Sequence, residues 1–153
     1  RLVKQYTQTI SLQLGWNLLS INVHPSDSSI AALFGSAQVQ TVKNADAFWS
    51  KDVASTQSLT HIKAAQGYLV KMNANATITI AGKRVNTSNF QFPTKTGWNL
   101  IGCPFSANTA LSGIFSGITT ETIKNFEGYW SPNDPLSSIS NLMPGNGYFV
   151  KNK

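Results

Sequence analysis

Four blocks of residues occur twice in this chain, in the same order, and that duplication limits its possible folds more than any other feature. Gly15-Trp16-Asn17-Leu18-Leu19 returns as Gly97-Trp98-Asn99-Leu100-Ile101, and Ile30-Ala31-Ala32-Leu33-Phe34 returns as Leu111-Ser112-Gly113-Ile114-Phe115. Val42 to Ser50 matches Ile123 to Ser131, and Gly67-Tyr68-Leu69-Val70-Lys71 matches Gly147-Tyr148-Phe149-Val150-Lys151. Only single-residue slips separate the blocks. The chain is therefore read as two copies of one unit of about 65 residues.

Within each copy the residue pattern is that of strands. Ile10 to Leu14 alternates apolar and polar, the period of a half-buried strand, and Phe90-Gln91-Phe92 begins the same way before Pro93, which suits a strand edge. Gly-Trp-Asn then turns the chain, and fuller apolar runs follow from Leu18 and from Leu100. Small polar residues at Ser26 to Ser29 and at Asn108-Thr109 precede apolar positions spaced by three and four, the signature of one short helix per copy. Gln40 to Lys51 reads as a hairpin turning at Asp46-Ala47, equivalent to Glu127-Gly128. A strand from Tyr68 or Tyr148 closes each unit, and Thr77 to Ile80 adds another.

The expected fold is mainly β: two tandem repeats of antiparallel strands with one short helix each, packed as one pseudo-twofold domain, sandwich- or barrel-like. Repeat one spans about residues 10–73 and repeat two about 90–153. The segment 74–89 is a connecting strand and a polar linker from Lys83 to Asn89. A unit of this size has little core alone, which favours one packed domain spanning residues 1–153 over two tethered lobes.

Composition narrows the chemistry. Charged residues make up 12% of the chain, and the net charge of +6 arises from six acids against twelve scattered bases. No basic run resembles a nucleic-acid arm, and the only arginines are Arg1 and Arg84. Nucleic acid is not an expected partner. No apolar stretch is long enough for membrane insertion. Cys103 is the single cysteine, so no internal disulfide is possible, and its place in an apolar run reads as core. The chain opens at Arg1 and is expected to be part of a larger multidomain protein.

Catalysis fits poorly. A glycosidase needs two carboxylates facing one bond, and none of the six acids forms an evident pair. No nucleophile elbow, Walker loop or dinucleotide fingerprint is present. No cofactor is expected. Loop oxygens near Asp52 or Asn133-Asp134 offer a weaker calcium alternative, without the Asp-x-Asp-x-Asp pattern.

Aromatic residues are the stronger lead, because sugars stack their C–H faces on rings while neighbouring amides and charges take the hydroxyls. Phe48-Trp49 and Tyr129-Trp130 are adjacent on one strand, so one of each pair points outward. The exposed member would lie across the hairpin from Lys43-Asn44 or Lys124-Asn125. The candidate ligand-binding set is thus Trp49, Trp130, Lys43, Asn44, Lys124, Asn125 and Tyr129, with Tyr68 and Tyr148. Trp16 and Trp98 sit in the turn that defines each repeat and are expected to be structural.

The Gly-Trp-Asn-Leu-Ile/Leu turn, the later Trp and the closing Gly-Tyr-x-Val-Lys together resemble a repeat of secreted and cell-surface proteins of bacteria and archaea. Such repeats include tails of polysaccharide-degrading enzymes and surface-layer-like proteins. The resemblance implies a secreted or cell-surface accessory module. Its expected function is non-catalytic binding of a polysaccharide, neutral or acidic. The alternative is a surface-structural or cell-attachment module with no small-ligand site.

Overall fold

The computed structural model describes residues 4–52 and 57–153. The first copy runs through β1 (Tyr6–Leu12), β2 (Gly15–Leu19), β3 (Val23–His24), α1 (Ile30–Phe34), β4 (Val39–Lys43), β5 (Phe48–Ser50), β6 (Tyr68–Met72) and β7 (Ala76–Arg84). The second contains β8 (Gly97–Gly102), β9 (Thr109–Ala110), a 3-10 turn at Leu111–Gly113, β10 (Thr120–Lys124), β11 (Tyr129–Trp130), β12 (Asn141–Leu142) and β13 (Gly147–Asn152).

The duplication is a duplication of one sheet. In the first copy the order is β2-β6-β4-β5, and in the second it is β8-β13-β10-β11, antiparallel throughout. Registers agree residue for residue: Trp16 faces Lys71 as Trp98 faces Lys151, and Val42 lies between Val70 and Trp49 as Ile123 lies between Val150 and Trp130. Both sheets even share a register shift, at Val39/Thr41 and at Thr120/Thr122. Gly-Trp-Asn does not turn the chain as expected but opens β2 and β8, with the bend just before it at Leu14 and Thr96. Gly15 and Gly97 take φ of 92° and 90°, a region that side chains with a Cβ rarely enter. The Asn17 and Asn99 amides donate back across the turn to the carbonyls of Gln13 and Lys95, each at 2.8 Å.

Around the first sheet the chain forms a sandwich-like pair of layers. β1 and β7 pair along their whole length, with β3 on the far edge of β7. Alternation then turns Ile10, Leu12, Ile78 and Ile80 inward, where they join Leu19, Val42, Tyr68 and Val70 in one buried cluster. Helix α1 adds Ile30, Leu33 and Phe34 to that cluster, and Ser29 caps it by accepting a hydrogen bond from the Ala32 amide at 3.2 Å.

Three further expectations are corrected here. Phe90–Phe92 is not a strand. Pro93 has no amide hydrogen to donate, and Phe92 instead packs among Phe90, Phe115 and Phe105, with ring centroids 4.9, 5.1 and 6.4 Å away. Phe92, Phe105 and Phe115 cover the second cluster, built on Ile101, Cys103, Leu111, Ile123, Leu142, Tyr148 and Val150. Second, the helix of the second copy is a single 3-10 turn, because its cap position is Ala110, which has no side-chain acceptor. Third, Lys83 and Arg84 of the expected linker belong to β7 and pair with His24 and Val23.

Backbone hydrogen bonding joins the copies about a pseudo-twofold relation. Leu19 bridges to Asn146, and the equivalent Ile101 bridges to Gln66. The Ser20 hydroxyl accepts from the Cys103 amide at 2.9 Å and donates to the Asn146 carbonyl. Contact is close enough that a Cβ at Gly67 would stand 2.4 Å from the Ile101 carbonyl oxygen, and one at Gly102 would stand 2.5 Å from the Ser20 Cβ.

Candidate functional site

Strand parity decides which aromatic rings reach solvent. On β5 and β11, Trp49 and Trp130 lie opposite the fully buried Val42 and Ile123. Each is half-buried and packs on the core of its own copy. The residues opposite Lys43 and Lys124 are therefore Phe48 and Tyr129, not the tryptophans. Tyr129 is half-buried, and its hydroxyl donates to Asp134 Oδ2 at 2.9 Å, which raises the phenol pKa above its ordinary value. Tyr68 and Tyr148 leave the candidate set altogether. Each is 1% exposed, and each hydroxyl accepts a backbone amide, from Lys63 at 2.8 Å and from Met143 at 2.9 Å. They sit on the same strand face as Val70 and Val150, a parity the closing motif already contained.

The exposed rings are the two assigned to structure by sequence. Trp16 and Trp98 are 43% and 46% exposed. On β2 the buried Leu19 sets the inward parity, so Trp16, three positions earlier, projects from the opposite face of the sheet. Two lysines approach each ring. Lys43 and Lys71 place their ammonium groups 5.1 and 5.9 Å from the Trp16 ring centroid. Lys124 and Lys151 stand 4.8 and 6.0 Å from that of Trp98. Each such contact is worth about 0.5–1 kcal/mol at an exposed site, enough to hold the ring in one pose without covering it. Lys151 is also ion-paired to Glu121 at 3.0 Å.

Each tryptophan borders a cleft whose other wall comes from the other copy. A cleft of 370 Å³ lies between Trp16 and Leu18 on one side and Asn125, Phe126, Glu127 and Gly145 to Gly147 on the other. Its counterpart, of 390 Å³, lies between Trp98 and Leu100 and the equivalent Asn44, Ala45, Asp46 and Ala65 to Gly67. Both volumes suit small-ligand sites. Asn44 and Asn125 hold the turns in shape: the side-chain Oδ1 of Asn44 accepts from the backbone amides of Asp46 and Ala47, and Oδ1 of Asn125 from those of Glu127 and Gly128.

The expected ring, base and amide are thus brought together differently. Lys43 serves the Trp16 ring of its own copy, while the adjacent Asn44 borders the Trp98 cleft of the other. Asp46 and Glu127 border different clefts and do not face a common bond. Burial pushes the Cys103 thiol up to about 11, so it is protonated and unreactive at neutral pH. Among the described residues, no group of three or more His, Cys, Asp or Glu gathers as a metal site, and no helix is long and apolar enough to cross a membrane. Comparison with known protein families, curated proteins and solved structures finds no match to this chain.

Proposed function

We propose that the chain is a non-catalytic polysaccharide-binding module of a secreted or cell-surface protein, attached to further domains, and that it binds through two equivalent clefts between its copies. The observation that carries this reading is the pair of exposed tryptophans, Trp16 and Trp98, each bordering a cleft completed by an amide and a carboxylate from the opposite copy. A sugar ring stacks its C–H face on the indole while Asn125 and Glu127, or Asn44 and Asp46, take its hydroxyls. The paired lysines admit acidic as well as neutral chains. Two shallow sites on one rigid body raise the avidity for a polymer through effective concentration, even where each site is weak.

Affinity electrophoresis through gels containing neutral and acidic polysaccharides tests this. Retardation by one polymer class, reduced by Trp16→Ala and by Trp98→Ala and lost in the double variant, supports the reading. Retardation that ignores both tryptophans and vanishes with salt would leave only charge attraction. No retardation across the panel would favour the surface-structural alternative, for which the exposed Ile118 and Leu136 side chains offer contact surface.

A further inference from the structure

The two clefts differ at several lining positions, and the largest change in the hairpin wall is at the turn. In the first, the hairpin turn of the second copy presents Phe126, which is 58% exposed and borders the cleft that Trp16 also lines. In the second, the equivalent turn presents Ala45. A phenylalanine is a costly residue to leave in water at a tight turn, and the turn does not require it, since Ala45 occupies the same position in an equivalent turn held by the same asparagine contacts. Phe126 makes no ring–ring contact with Trp16 or any other aromatic among the described residues, and both rings line the same cleft. The second cleft does contain Phe90, but that ring is half-buried and packed edge-on against Phe92 at 4.9 Å.

We propose that Phe126 is the second wall of the first cleft, which grips one sugar ring on both faces between Trp16 of the first copy and Phe126 of the second. The second cleft, with Ala45 at that position, stacks a ring on Trp98 alone. The inference rests on the polysaccharide-binding reading and adds to it a division of labour: the first cleft supplies most of the affinity, and the second supplies avidity. Each cleft has one carboxylate from the opposite copy, Glu127 in the first and Asp46 in the second, whereas only the first has an aromatic side chain at the turn.

The test isolates each cleft in the full chain, with Trp98→Ala silencing the second and Trp16→Ala the first. Calorimetric titrations use hexasaccharides of β-1,4-linked glucose, xylose, N-acetylglucosamine and α-1,4-linked galacturonate. The first cleft should bind its preferred oligomer more tightly than the second does. Phe126→Ala should weaken the first cleft about fivefold, the effect of losing roughly 40 Å² of apolar stacking contact, while Phe126→Tyr retains binding. Ala45→Phe should strengthen the second cleft by a similar factor. Phe126 is exposed, so unchanged melting temperatures confirm that the variants are folded. If Phe126→Ala leaves the first cleft unchanged while Trp16→Ala abolishes it, the second wall is refuted and the sugar-binding reading stands. If no oligomer binds the unaltered chain, both fall together.

Discussion

The junction between the copies yields a graded prediction, because two equivalent glycines there have unequal clearance. Gly67 immediately precedes β6, and its equivalent Gly147 opens β13. An added Cβ at Gly67 would stand 2.4, 2.8 and 2.9 Å from the carbonyl oxygen, carbonyl carbon and nitrogen of Ile101. All three are backbone atoms, so β8 itself would have to retreat, by roughly 0.8 Å to restore ordinary contact. That displacement breaks the neighbouring Gln66–Ile101 bridge, at about 1 kcal/mol, on top of about 1–3 kcal/mol for overpacking. Alanine recovers about 0.4–1 kcal/mol by restricting the unfolded chain. Gly67→Ala is therefore expected to lower stability by about 1–3.5 kcal/mol. At Gly147 the nearest atoms are the Leu19 oxygen and nitrogen at 3.1 and 3.3 Å, which a shift of a few tenths of an ångström relieves. Gly147→Ala should cost about 0–1 kcal/mol. Urea unfolding followed by tryptophan fluorescence measures both. Since Gly67 borders the Trp98 cleft and Gly147 the Trp16 cleft, Gly67→Ala should also weaken binding at Trp98 more than at Trp16. Equal costs for the two substitutions, or a larger cost at Gly147, would refute the close apposition of β8 against Gly67.

Ala65 has a φ of 67°, whereas its equivalent in the second copy is Gly145 with a φ of 90°; Ala65→Gly should change stability by less than about 1 kcal/mol in the same urea assay, because relief of the left-handed penalty is offset by the glycine entropy cost and by loss of a buried methyl. Tyr68→Phe and Tyr148→Phe each strand a backbone amide, that of Lys63 or Met143, and should lower stability by about 1–2 kcal/mol each while leaving polysaccharide retardation unchanged. Burial raises the pKa of Cys103 from 9.0 to about 11 and lifts the Tyr68 and Tyr148 phenols above 10.0. The unfolded chain releases these protons first, so stability should be full below pH 9 and fall as pH rises through 9 to 11, by up to about 1.4 kcal/mol per pH unit for each ionising group. In urea titrations across this range, Cys103→Ala should remove the decline between pH 9 and 10, before the tyrosines contribute.

Much of the fold was legible because strands advertise their inward face. The alternation in Ile10 to Leu12 and Thr77 to Ile80 marked β1 and β7, and the paired hairpins were visible through their matched turns. What the pattern could not supply was pairing: β1 closes against β7, whereas the similar start at Phe90–Phe92 packs as an aromatic cluster. The candidate site was half legible. Lys43, Asn44, Lys124 and Asn125 do border or flank the exposed rings, but the rings are Trp16 and Trp98. A four-residue turn from Asn44 to Ala47 sets Lys43 against Phe48 and Val42 against Trp49. Counting parity from the apolar Val42 would have placed Trp49 inward and, from Leu19, Trp16 outward. Phe126 carried its own signal, a phenylalanine where the other copy tolerates alanine. The clefts themselves had no such signal, since each is assembled from both copies.

That shared construction bears on why the duplication persists with its two halves unequal. At the centre of the pseudo-twofold, Ser20 and its equivalent Gly102 meet each other, and a Cβ at Gly102 would collide with Ser20. Two identical copies could not close in this way with serine at both positions. Ser20 links the copies through Cys103 and Asn146, and glycine at position 102 leaves room for the approach. Once the copies differ at the axis, the clefts on either side are free to differ as well. Phe126 against Ala45 is such a difference, and away from the clefts Glu121 is paired to Lys151 where the first copy has Gln40 bonded to Asp52. A cleft whose ring comes from one copy and whose polar wall comes from the other is lost if either copy shifts. The backbone junction, rather than the surface around each tryptophan, is therefore where the geometry of both clefts is set.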